Sequence, residues 1–495
     1  MKIAISFPPL KSEKGIPLLS QNRQFQWFNS PTYIYPMIPA SAATLLKKNG
    51  HEVIWDDGIA EKMEYDKWLE RIVETQPDII AIETKTPVVK KHWQIINDLK
   101  AQSLKIENPP AGRAGWKLKI VLMGDHVTAL PEESMKNCDV DFVIQAGDFD
   151  FILLSIANKL SGQGELEGGI WYKENSEIKN SGAYDLHKHS LDELPMIDRE
   201  LTHWKLYAFE NGNFKYTPGS YMMSGRDCWW GKCSFCSWTT LFPGQNFRTR
   251  SAKNALDEVG ALIGLGVKEI MEDSGTLPIG DWLKEFCEGM IARGYNKKVT
   301  MSCNMRINAI KDVEIWKMMK ATGFRLVLFG LESANQLTLD RLNKNLKVEE
   351  IENGLKICKQ AGLEPHITAM MGYPWETLAD AQNTVVLAKN LFKKGYVDTL
   401  QATIVIPYPG TPLHRYCNEN NLLNFEDYDR FDQREQVMKS ALTTEDVRKL
   451  TQNLYRAWMS PSFIARKVFS MRNVADFKYL FKATMKLFGH LMDFK

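Results

Sequence analysis

The 495-residue sequence lacks long apolar segments, an excess of charge of either sign, internal repeats and low-complexity tracts. No stretch approaches the roughly 18 consecutive apolar residues that a transmembrane helix needs, so we predict no membrane-spanning segment. The apolar run within residues 1–15 is too short for a signal peptide and instead predicts a first strand. The formal net charge of +2 indicates neither a nucleic-acid partner nor an acidic tail.

Cysteine is also scarce: the chain has eight, and they are not spaced like a disulfide framework. Three of them, Cys228, Cys233 and Cys236, lie together in the segment SGRDCWWGKCSFCSW (224–238). We expect a reducing, cytoplasmic location, because a metal cluster needs free thiolates. An apolar content of 44% is typical of a globular protein. The length predicts two or three domains.

The spacing of the three clustered cysteines indicates a metal centre with one open coordination position. A 4Fe-4S cluster normally takes four Cys thiolates, so three would leave one iron free to bind a small molecule. A structural zinc site is the alternative, but it needs four closed ligands in paired sets. The next cysteines, Cys287 and Cys303, and the next histidine, His366, lie far downstream. The sequence therefore favours an open iron–sulfur cluster over zinc or three unrelated core thiols.

The C-x4-C-x2-C run, with Phe235 as the aromatic residue before the last cysteine, resembles the radical S-adenosylmethionine (radical SAM) superfamily. The usual superfamily spacing is C-x3-C-x2-C, so one extra residue separates the first two ligands here, which affects the loop geometry more than the ligand chemistry. The resemblance implies a 4Fe-4S cluster that cleaves SAM to methionine and a 5′-deoxyadenosyl radical. It also implies an electron donor such as flavodoxin or ferredoxin.

Residues 1 to about 160 alternate short apolar runs with helical patterns, which predicts an open doubly wound α/β domain. The predicted strands are residues 2–6, 51–55, 78–82, 118–123 and 141–144. The predicted helices are residues 38–49, 65–74, 88–104, 131–136 and 149–160. We also expect a surface insertion at 106–115 and a hairpin at 168–182. A ligand of such a domain is expected outside the carboxyl ends of its strands.

A second alternation begins near residue 219 and predicts an incomplete (β/α)6 barrel, whose chemistry belongs at the carboxyl ends of the strands. The predicted strands are residues 219–225, 267–272, 298–303, 325–331, 365–371 and 400–406. The predicted helices are residues 251–265, 281–293, 312–322, 348–361 and 377–394. The cysteines follow the first of these strands, where such a barrel would carry a catalytic loop.

The chain is therefore predicted to be an α/β protein of four regions: a doubly wound α/β domain at 1–165, a hairpin and linker at 166–205, a core that resembles the radical SAM barrel at 206–425 and a helical region at 426–495. The last region has no strand signals and contains Lys/Arg-rich amphipathic helices. Such a helix packs its apolar face on its own protein or lies on a membrane surface. Packing is the more common case, and peripheral membrane contact is the alternative.

Four segments that end later strands of the predicted barrel resemble SAM-binding elements of the superfamily. They are MEDSGT (271–276), SCNMRIN (302–308), FGLESAN (329–335) and MMGYPWET (370–377), and IPYPGTPL (406–413) is a further family element. Together with Phe235, the resemblance assigns these residues to SAM: Glu272, Asp273, Ser274, Arg306, Glu332, Ser333, Gly372 and Tyr373. Arg306 would pair with the methionine carboxylate as a two-pronged donor, and Glu332 would accept hydrogen bonds from ribose hydroxyls.

Each of these residues has a structural alternative. Arg306 would fit a surface arginine, and Glu332 would fit the N-terminus of the following helix. GYPWET would fit an ordinary turn and helix start. Their order at successive strand ends after the cysteines favours the SAM-binding interpretation.

The N-terminal domain resembles the cobalamin-binding domain that precedes many radical SAM cores. The resemblance assigns to cobalamin these residues: Thr84, Gly124, Asp125, His126, Thr128 and Gly147. Gly124 would permit a close backbone approach, and His126 and Thr128 would hydrogen-bond phosphate or sugar. The D-x-H-x-x-G signature of a cobalt-ligating histidine is absent, so cobalt would have no lower histidine ligand. A domain that keeps the fold and binds no cobalamin is the alternative.

The resemblance implies cobalamin-dependent methylation of an unactivated carbon in a small-molecule, lipid or tetrapyrrole substrate. Radical oxidation or cyclisation without methyl transfer, as in the anaerobic porphyrin-ring cyclase group, is a second hypothesis. A tRNA methylthiotransferase should carry cluster cysteines in its N-terminal domain, whereas the first cysteine here is Cys138. A non-enzymatic cobalamin or iron–sulfur sensor is the alternative from another class, and the predicted SAM residues argue against it.

Overall fold

The computed structural model describes residues 1–18, 25–29, 31–105, 115–226, 228–244, 246–471 and 489. All but the last residue of the predicted insertion at 106–115 lies outside the described residues, as does nearly all of the basic amphipathic segment at 476–492. No described helix is long and apolar enough to cross a membrane.

The N-terminal half is built on a seven-stranded sheet with helices on both faces. The strands of this sheet are β1 (Lys2–Phe7), β4 (Glu52–Asp57), β5 (Ile79–Glu83), β6 (Lys119–Met123), β7 (Phe142–Ile144), β8 (Ile170–Glu174) and β9 (Glu177–Asn180). Two short strands, β2 (Ile16–Pro17) and β3 (Trp27–Phe28), form a separate antiparallel pair. Its helices are α1 (Met37–Lys48), α2 (Tyr65–Thr75), α3 (Val89–Lys105), α4 (Asp125–Ala129), α5 (Pro131–Asn137) and α6 (Phe149–Leu160).

The sheet order is β4-β1-β5-β6-β7-β8-β9, and the first five of these strands are parallel. Strands β1, β5 and β7 are buried almost throughout, as expected for a sheet covered on both faces. The predicted doubly wound fold is therefore confirmed. The predicted hairpin is β8–β9, and it pairs antiparallel with β7, so the sheet continues beyond residue 165. The domain boundaries themselves remain a prediction.

The second half contains a curved sheet of six parallel strands in the order β10-β13-β14-β15-β16-β17. Its strands and the short pair β11–β12 are β10 (Gly219–Met222), β11 (Gly225–Arg226), β12 (Arg248–Thr249), β13 (Glu269–Glu272), β14 (Thr300–Met305), β15 (Phe324–Glu332), β16 (Glu364–Met371) and β17 (Thr399–Ile404). The sequential order of parallel strands, each crossing over through a helix, confirms the predicted partial barrel.

Helices cover the outside of this barrel. They are α7 (Trp238–Leu241), α8 (Ala252–Gly264), α9 (Asp281–Ala292), α10 (Val313–Ala321), α11 (Gln336–Arg341), α12 (Val348–Gln360), α13 (Leu378–Lys394), α14 (Pro412–Glu419), α15 (Thr444–Tyr455) and α16 (Pro461–Ser470). Helix α15 packs on β16, β17 and α13, so this part of the basic C-terminal region packs on the protein. Its buried residues include Val447, Leu450 and Leu454, which recur at helical spacing.

Along β16 the side chains alternate in burial. Pro365, Ile367 and Ala369 are buried under the outer helices, whereas Glu364, His366 and Thr368 line the interior and are partly accessible. This alternation is the period of two expected for a strand. The barrel interior is therefore hollow enough to hold a ligand.

Candidate active site

The three clustered cysteines lie on a loop whose base is closed by β11 and β12. Gly225 pairs with Thr249 and Arg226 with Arg248, so the chain leaves and re-enters the barrel edge at one point. Helix α7 follows Cys236 directly, and Thr239 donates two hydrogen bonds to the Cys236 carbonyl oxygen. The thiols of Cys228, Cys233 and Cys236 all line one cavity of about 1290 Å³ in the barrel interior.

Among the described residues, no three His, Cys, Asp or Glu side chains converge closely enough to hold a single metal ion. A preformed tetrahedral zinc site would require such convergence. In a 4Fe-4S cluster each thiolate binds a different iron, so the sulfur atoms need only surround a common space. Three cysteines that line one cavity could therefore each bind a different iron of such a cluster.

The turn after α11 contacts the cysteine loop through two hydrogen bonds. The Trp230 Nε1 donates to the Asn343 carbonyl oxygen at 2.7 Å, and the Ser234 backbone nitrogen donates to the Leu342 carbonyl oxygen at 3.0 Å. At the other side, the Cys228 Sγ lies 2.8 Å from the Thr276 Oγ1. These contacts hold the cysteine loop between the segment after β13 and the turn after α11.

Arg306 follows β14 and lies against the same loop. Its guanidinium carbon is 4.6 Å from the ring centre of Trp230 and 5.5 Å from that of Trp229, and it donates to the Lys344 carbonyl oxygen. Burial lowers the pKa of Arg306, and the nearby Cys233 and Cys228 act in the opposite direction. Arg306 lines the cavity, so its charge is available to a ligand there.

Glu332 ends β15 beside an irregularity in the pairing with β16, and its φ of 63° lies in the left-handed region. This conformation turns its carboxylate toward Lys344, whose Nζ donates to Glu332 Oε1 at 2.6 Å. A Cβ at Gly330 would overlap both atoms, so only glycine leaves room for the pair. Burial alone would lower the pKa of Lys344, but Glu332 and Cys233 hold it above its usual value. The ammonium group therefore stays charged beside the thiols.

Glu272 and Ser274 support the start of the cysteine loop and do not line the cavity. The Glu272 carboxylate accepts hydrogen bonds from the Ser224 backbone nitrogen at 2.8 Å and from the Ser274 hydroxyl. The Ser274 Oγ in turn accepts from the Gly225 backbone nitrogen at 2.8 Å. Burial raises the pKa of Glu272 to about 7. These contacts position the turn that leads into the cysteines.

The other residues predicted to bind SAM divide in the same way. Phe235 and Asp273 line the cavity, whereas Ser333, Gly372 and Tyr373 do not. The Ser333 hydroxyl donates to Glu376 at 2.6 Å, and Tyr373 is buried in an apolar cluster that Phe235 packs against. Whether each of these residues contacts SAM remains a prediction.

Three residues at this end were missed by the sequence analysis: Thr276, Lys344 and Glu376. Thr276 lies beside Cys228, Lys344 pairs with Glu332, and Glu376 binds the hydroxyls of Ser333 and Thr338. Thr276 and Glu376 lie within two of the segments already singled out by their resemblance, so position after a strand end could have found them. Lys344 lies in a loop beyond such a segment, and no sequence signal marks it.

The residues predicted to bind cobalamin lie at the carboxyl edge of the first sheet, and several of them form hydrogen bonds with nearby residues. His126 contacts Thr86 at 3.2 Å through Nδ1 and Glu133 at 3.0 Å through Nε2. The Thr128 hydroxyl donates to the Gly124 carbonyl oxygen at 2.8 Å, and Thr84 lies 2.7 Å from His92. None of the six residues lines the large cavity.

Two of these positions are glycines for reasons internal to the protein. A Cβ at Gly124, whose φ is 129°, would overlap the Thr84 carbonyl oxygen. A Cβ at Gly147 would overlap the ring of Phe242, which follows α7. Asp125 is buried 3.5 Å from the ammonium group of Lys85. The roles of Thr84, Gly124, Asp125, His126, Thr128 and Gly147 toward cobalamin remain predictions.

Several buried polar atoms near this edge have no hydrogen-bond partner among the described residues. They are both carboxylate oxygens of Glu83, His92 Nε2, both side-chain polar atoms of Gln26, Tyr408 Oη and Gln433 Oε1. Burial raises the pKa of Glu83 to about 7, with Lys85 opposing and Asp125 adding to the shift. Burial and then Asp125 also raise the pKa of Tyr408, which lines the cavity from the barrel side. A polar ligand between the sheet and the barrel would satisfy such atoms.

Comparison with known proteins agrees with this site. Residues 222–388, which contain the cysteine loop and four of the barrel strands after it, match the Radical SAM superfamily. The chain contains a radical SAM domain. The prediction of a radical SAM enzyme is thereby confirmed over a non-enzymatic carrier.

Two further proteins are similar to most of the chain. It is 27% identical to an uncharacterized methyltransferase of Pyrococcus horikoshii over 445 residues, covering 88% of this chain and 90% of that protein. It is 25% identical to the anaerobic magnesium-protoporphyrin IX monomethyl ester cyclase of Cereibacter sphaeroides over 427 residues, covering 83% of this chain and 64% of that protein.

Among solved structures, the radical SAM methyltransferase TsrM of Kitasatospora setae, with cobalamin and a [4Fe-4S] cluster bound, superposes with a TM-score of 0.69 at 13% identity. The superposition covers 98% of this chain and 99% of that protein. At this identity the similarity confirms the fold: an α/β domain followed by a radical SAM barrel in one continuous arrangement.

Proposed function

We propose that this radical SAM enzyme holds a 4Fe-4S cluster on Cys228, Cys233 and Cys236 and performs cobalamin-dependent methylation of an unactivated carbon. The observation that carries the proposal is that the three cysteines, Arg306 and the Glu332–Lys344 pair line the same end of a single cavity. The cluster and SAM together would supply a 5′-deoxyadenosyl radical, and cobalamin would supply the methyl group. The relative named a methyltransferase and the fold shared with TsrM support this assignment.

The proposed tasks of the protein residues follow from their positions. Arg306 would bind the carboxylate of SAM, since a guanidinium donates to both oxygens of a carboxylate. Asp273 and Glu332 line the same cavity and would accept hydrogen bonds from the SAM amine and ribose. Lys344 would balance the negative charge of the thiolates, because its charged side chain lies beside Cys233. Phe235 would keep water from the cluster.

Cobalamin would bind between the first sheet and the barrel. The unpartnered polar atoms of Glu83, Gln26, Tyr408 and Gln433 fit a cofactor whose ring edge carries many amide groups. His126 is already bonded to Thr86 and Glu133, so it is not positioned to bind cobalt. This agrees with a cobalamin that has no lower histidine ligand.

Oxidation or cyclisation without methyl transfer is the second candidate, because the chain also aligns with a porphyrin ester cyclase. S-adenosylhomocysteine distinguishes the two, since methyl transfer forms it together with 5′-deoxyadenosine. Cyclisation would form 5′-deoxyadenosine alone. Participation of a flavodoxin or ferredoxin and contact of the C-terminal helices with a membrane remain predictions.

The proposal is tested on protein purified and reconstituted with iron and sulfide under anaerobic conditions. The wild type should show cluster absorbance and form 5′-deoxyadenosine from SAM under reduction. Cys228→Ala, Cys233→Ala and Cys236→Ala should each lose the cluster and the product. Cys287→Ala, at a buried cysteine of the outer helix α9, should keep both. A full complement of cluster iron in any of the three loop variants would contradict the ligand assignment.

A further inference from the structure

The cavity beneath the cysteine loop extends through the barrel to the amino ends of the strands, here called the barrel floor. Its volume of about 1290 Å³ exceeds the range of about 300–1,000 Å³ usual for one small-molecule site. The seven residue steps of β16 from Glu364 to Met371 correspond to roughly 23 Å at about 3.3 Å per residue. The barrel therefore has room for a second, elongated molecule below SAM.

The cavity opens at the floor. Among the described residues that line it, the exposed ones are Gly212, Lys320, Gly362, Ile464 and Val468. All of them lie near the amino ends of the barrel strands or on α16. At the cysteine end the lining residues are buried or only partly accessible, as Tyr408, Met370 and Lys344 illustrate. The described lining is thus most accessible at the floor, which gives a substrate a route into the interior, and it is less accessible at the cysteine end, where the three cysteines are partly exposed.

The floor carries an excess of positive charge. Five cationic side chains line it, whereas only two lining residues are carboxylates: the cations are Lys215, Lys320, Arg325, Lys359 and Lys467, and the carboxylates are Glu364 and Asp398. Both carboxylates are already bound, because Arg325 donates to Glu364 at 2.6 Å and Lys359 and Lys467 each contact Asp398 at 2.6 Å. A third carboxylate, Glu269, lies behind the wall and is bound by Arg325.

Lys320 takes no part in these ion pairs. Its ammonium group makes no hydrogen bond or ion pair with a described residue. Lys320 lines the cavity at its mouth. Partial burial lowers the pKa of Lys320. The charge of Glu364 raises this pKa, and the charge of Arg325 lowers it further. A charged amine beside other cations is a favourable place for an anion.

The walls next to this basic mouth are apolar. Phe392, Leu454, Trp458, Phe463, Ile464, Val468 and Met471 line the cavity from the outer helices and α16. Further up, Leu326, Leu328 and Leu400 face the interior, together with His366, whose Nδ1 is held by Thr399 at 2.9 Å and whose Nε2 has no partner among the described residues. The mouth thus combines cationic groups with an apolar lining.

We propose that the substrate is an elongated amphipathic molecule that enters through the barrel floor, with an anionic carboxylate or phosphate group held at Lys320 and an apolar body extending toward the cysteine loop. This inference rests on the proposed radical SAM function only for the fate of the substrate carbon. The binding of the anionic end and the apolar chain follows from the floor itself.

The test measures binding of dodecyl phosphate and of dodecanoate to the reconstituted full-length protein by calorimetry. Both should bind, and inorganic phosphate alone should bind far more weakly. Shortening the chain should weaken binding by about fourfold for each buried CH₂ removed. Affinity independent of chain length would overturn the apolar part of the proposal.

Lys320→Gln should weaken binding of dodecyl phosphate by about tenfold, as expected for loss of a hydrogen bond to a charged group. Lys320→Arg should retain most of the affinity because it keeps the charge. Lys317→Gln is the matched control, since Lys317 lies on the same helix but pairs with Glu314 on the outer surface. Equal affinity of Lys320→Gln and the wild type would overturn the assignment of Lys320.

Two measurements on one preparation separate this inference from the proposed function. Lysine-dependent binding of dodecyl phosphate without formation of 5′-deoxyadenosine would overturn the proposed function and support the floor site. Formation of 5′-deoxyadenosine without binding of either dodecyl probe would support the proposed function and overturn the floor site. Protoporphyrin IX that bound at the lysines in place of dodecyl phosphate would overturn the elongated form of the substrate.

Discussion

At the scale of single residues, Arg306 joins the cysteine loop to the space predicted for SAM. Its guanidinium stacks on Trp229 and Trp230 and donates to the Lys344 carbonyl oxygen, yet it still lines the cavity. A lysine in its place would keep the charge but would lose the planar stacking and the two-pronged donor geometry.

Arg306→Ala should therefore weaken SAM binding by at least about tenfold, because a hydrogen-bonded charge pair would be lost. The SAM affinity of Arg306→Lys should lie between that of Arg306→Ala and that of the wild type. Equilibrium binding to the reconstituted protein measures the effect, and iron content shows whether the cluster persists. Arg293→Ala, at an exposed ion pair with Asp257, serves as control. Unchanged SAM affinity would remove Arg306 from the site.

The buried pair of Glu332 and Lys344 gives a second prediction at this scale. Lys344→Met should destabilise the protein by about 3–5 kcal/mol, because it leaves the Glu332 carboxylate buried without its partner. Glu332→Gln combined with Lys344→Met should recover much of that loss. Denaturant unfolding of the four members of this double-mutant cycle measures the coupling. A strictly additive double variant would show that the two side chains do not depend on each other.

At the scale of elements, the strand ends position the site. Glu272 ends β13 and holds the turn before the cysteines through the Ser224 backbone nitrogen. Its carboxyl group binds a proton more tightly in the folded protein, where its pKa is about 7, than in the unfolded chain, where the value is 4.5. The native state thus loses stability as the pH rises through this range, because the buried group must ionise.

Glu272→Gln should remove this pH dependence. Relative to the wild type, the variant should gain stability between pH 4.5 and 7, on the order of 3 kcal/mol in total for a shift of this size. Denaturant unfolding of the cofactor-free protein at several pH values measures the difference. Glu285→Gln, at an exposed position of α9, should show no such gain. A difference that stayed constant with pH would contradict the shifted ionisation.

Most long elements could be predicted from the sequence, because their apolar periodicity persists over several turns or residues. Strands β1, β5, β15 and β16 lie within a residue or two of their expected positions. The predicted strand at 219–225 is shorter, since β10 ends at Met222 and the chain turns away to form β11. Helices α4, α7, α11 and α14 were not predicted, because segments of four to eight residues carry too little periodicity.

The site was less predictable than the fold. The cysteines and the strand-end segments stand out by spacing and resemblance, whereas Lys344 depends on a loop conformation that only the tertiary structure defines. In the structure, Gly124 and Gly147 are glycines because a larger side chain would overlap Thr84 and Phe242. The sequence alone does not distinguish this packing requirement from contact with a cofactor.

At the scale of the whole molecule, a buried ion network joins the first sheet to the barrel. Arg226, at the start of the cysteine loop, donates to Asp148 at 2.8 Å and pairs with Asp150, and Arg248 donates to Asp148 at 2.8 Å. Burial alone would raise the pKa of Asp148, but the two arginines hold it below its usual value. The base of the cysteine loop is thus tied to the N-terminal domain.

Arg226→Met should destabilise the protein by about 3–5 kcal/mol, because Asp150 would remain buried without its cation. It should also loosen the cluster loop, which limited proteolysis and the rate of iron loss to a chelator would detect. Arg430→Met breaks an exposed pair with Glu435 and should cost no more than about 1 kcal/mol. Equal stability of the two variants would show that the network does not couple the domains.

The position of the cavity mouth has a kinetic consequence. The described lining is exposed only at the floor, and the cysteines lie at the far end of the same passage. A molecule that occupies the passage from the floor upward obstructs the way to the deeper compartment behind it. If both reactants entered from the floor, SAM would have to bind before the substrate, and its fragments would leave after the product.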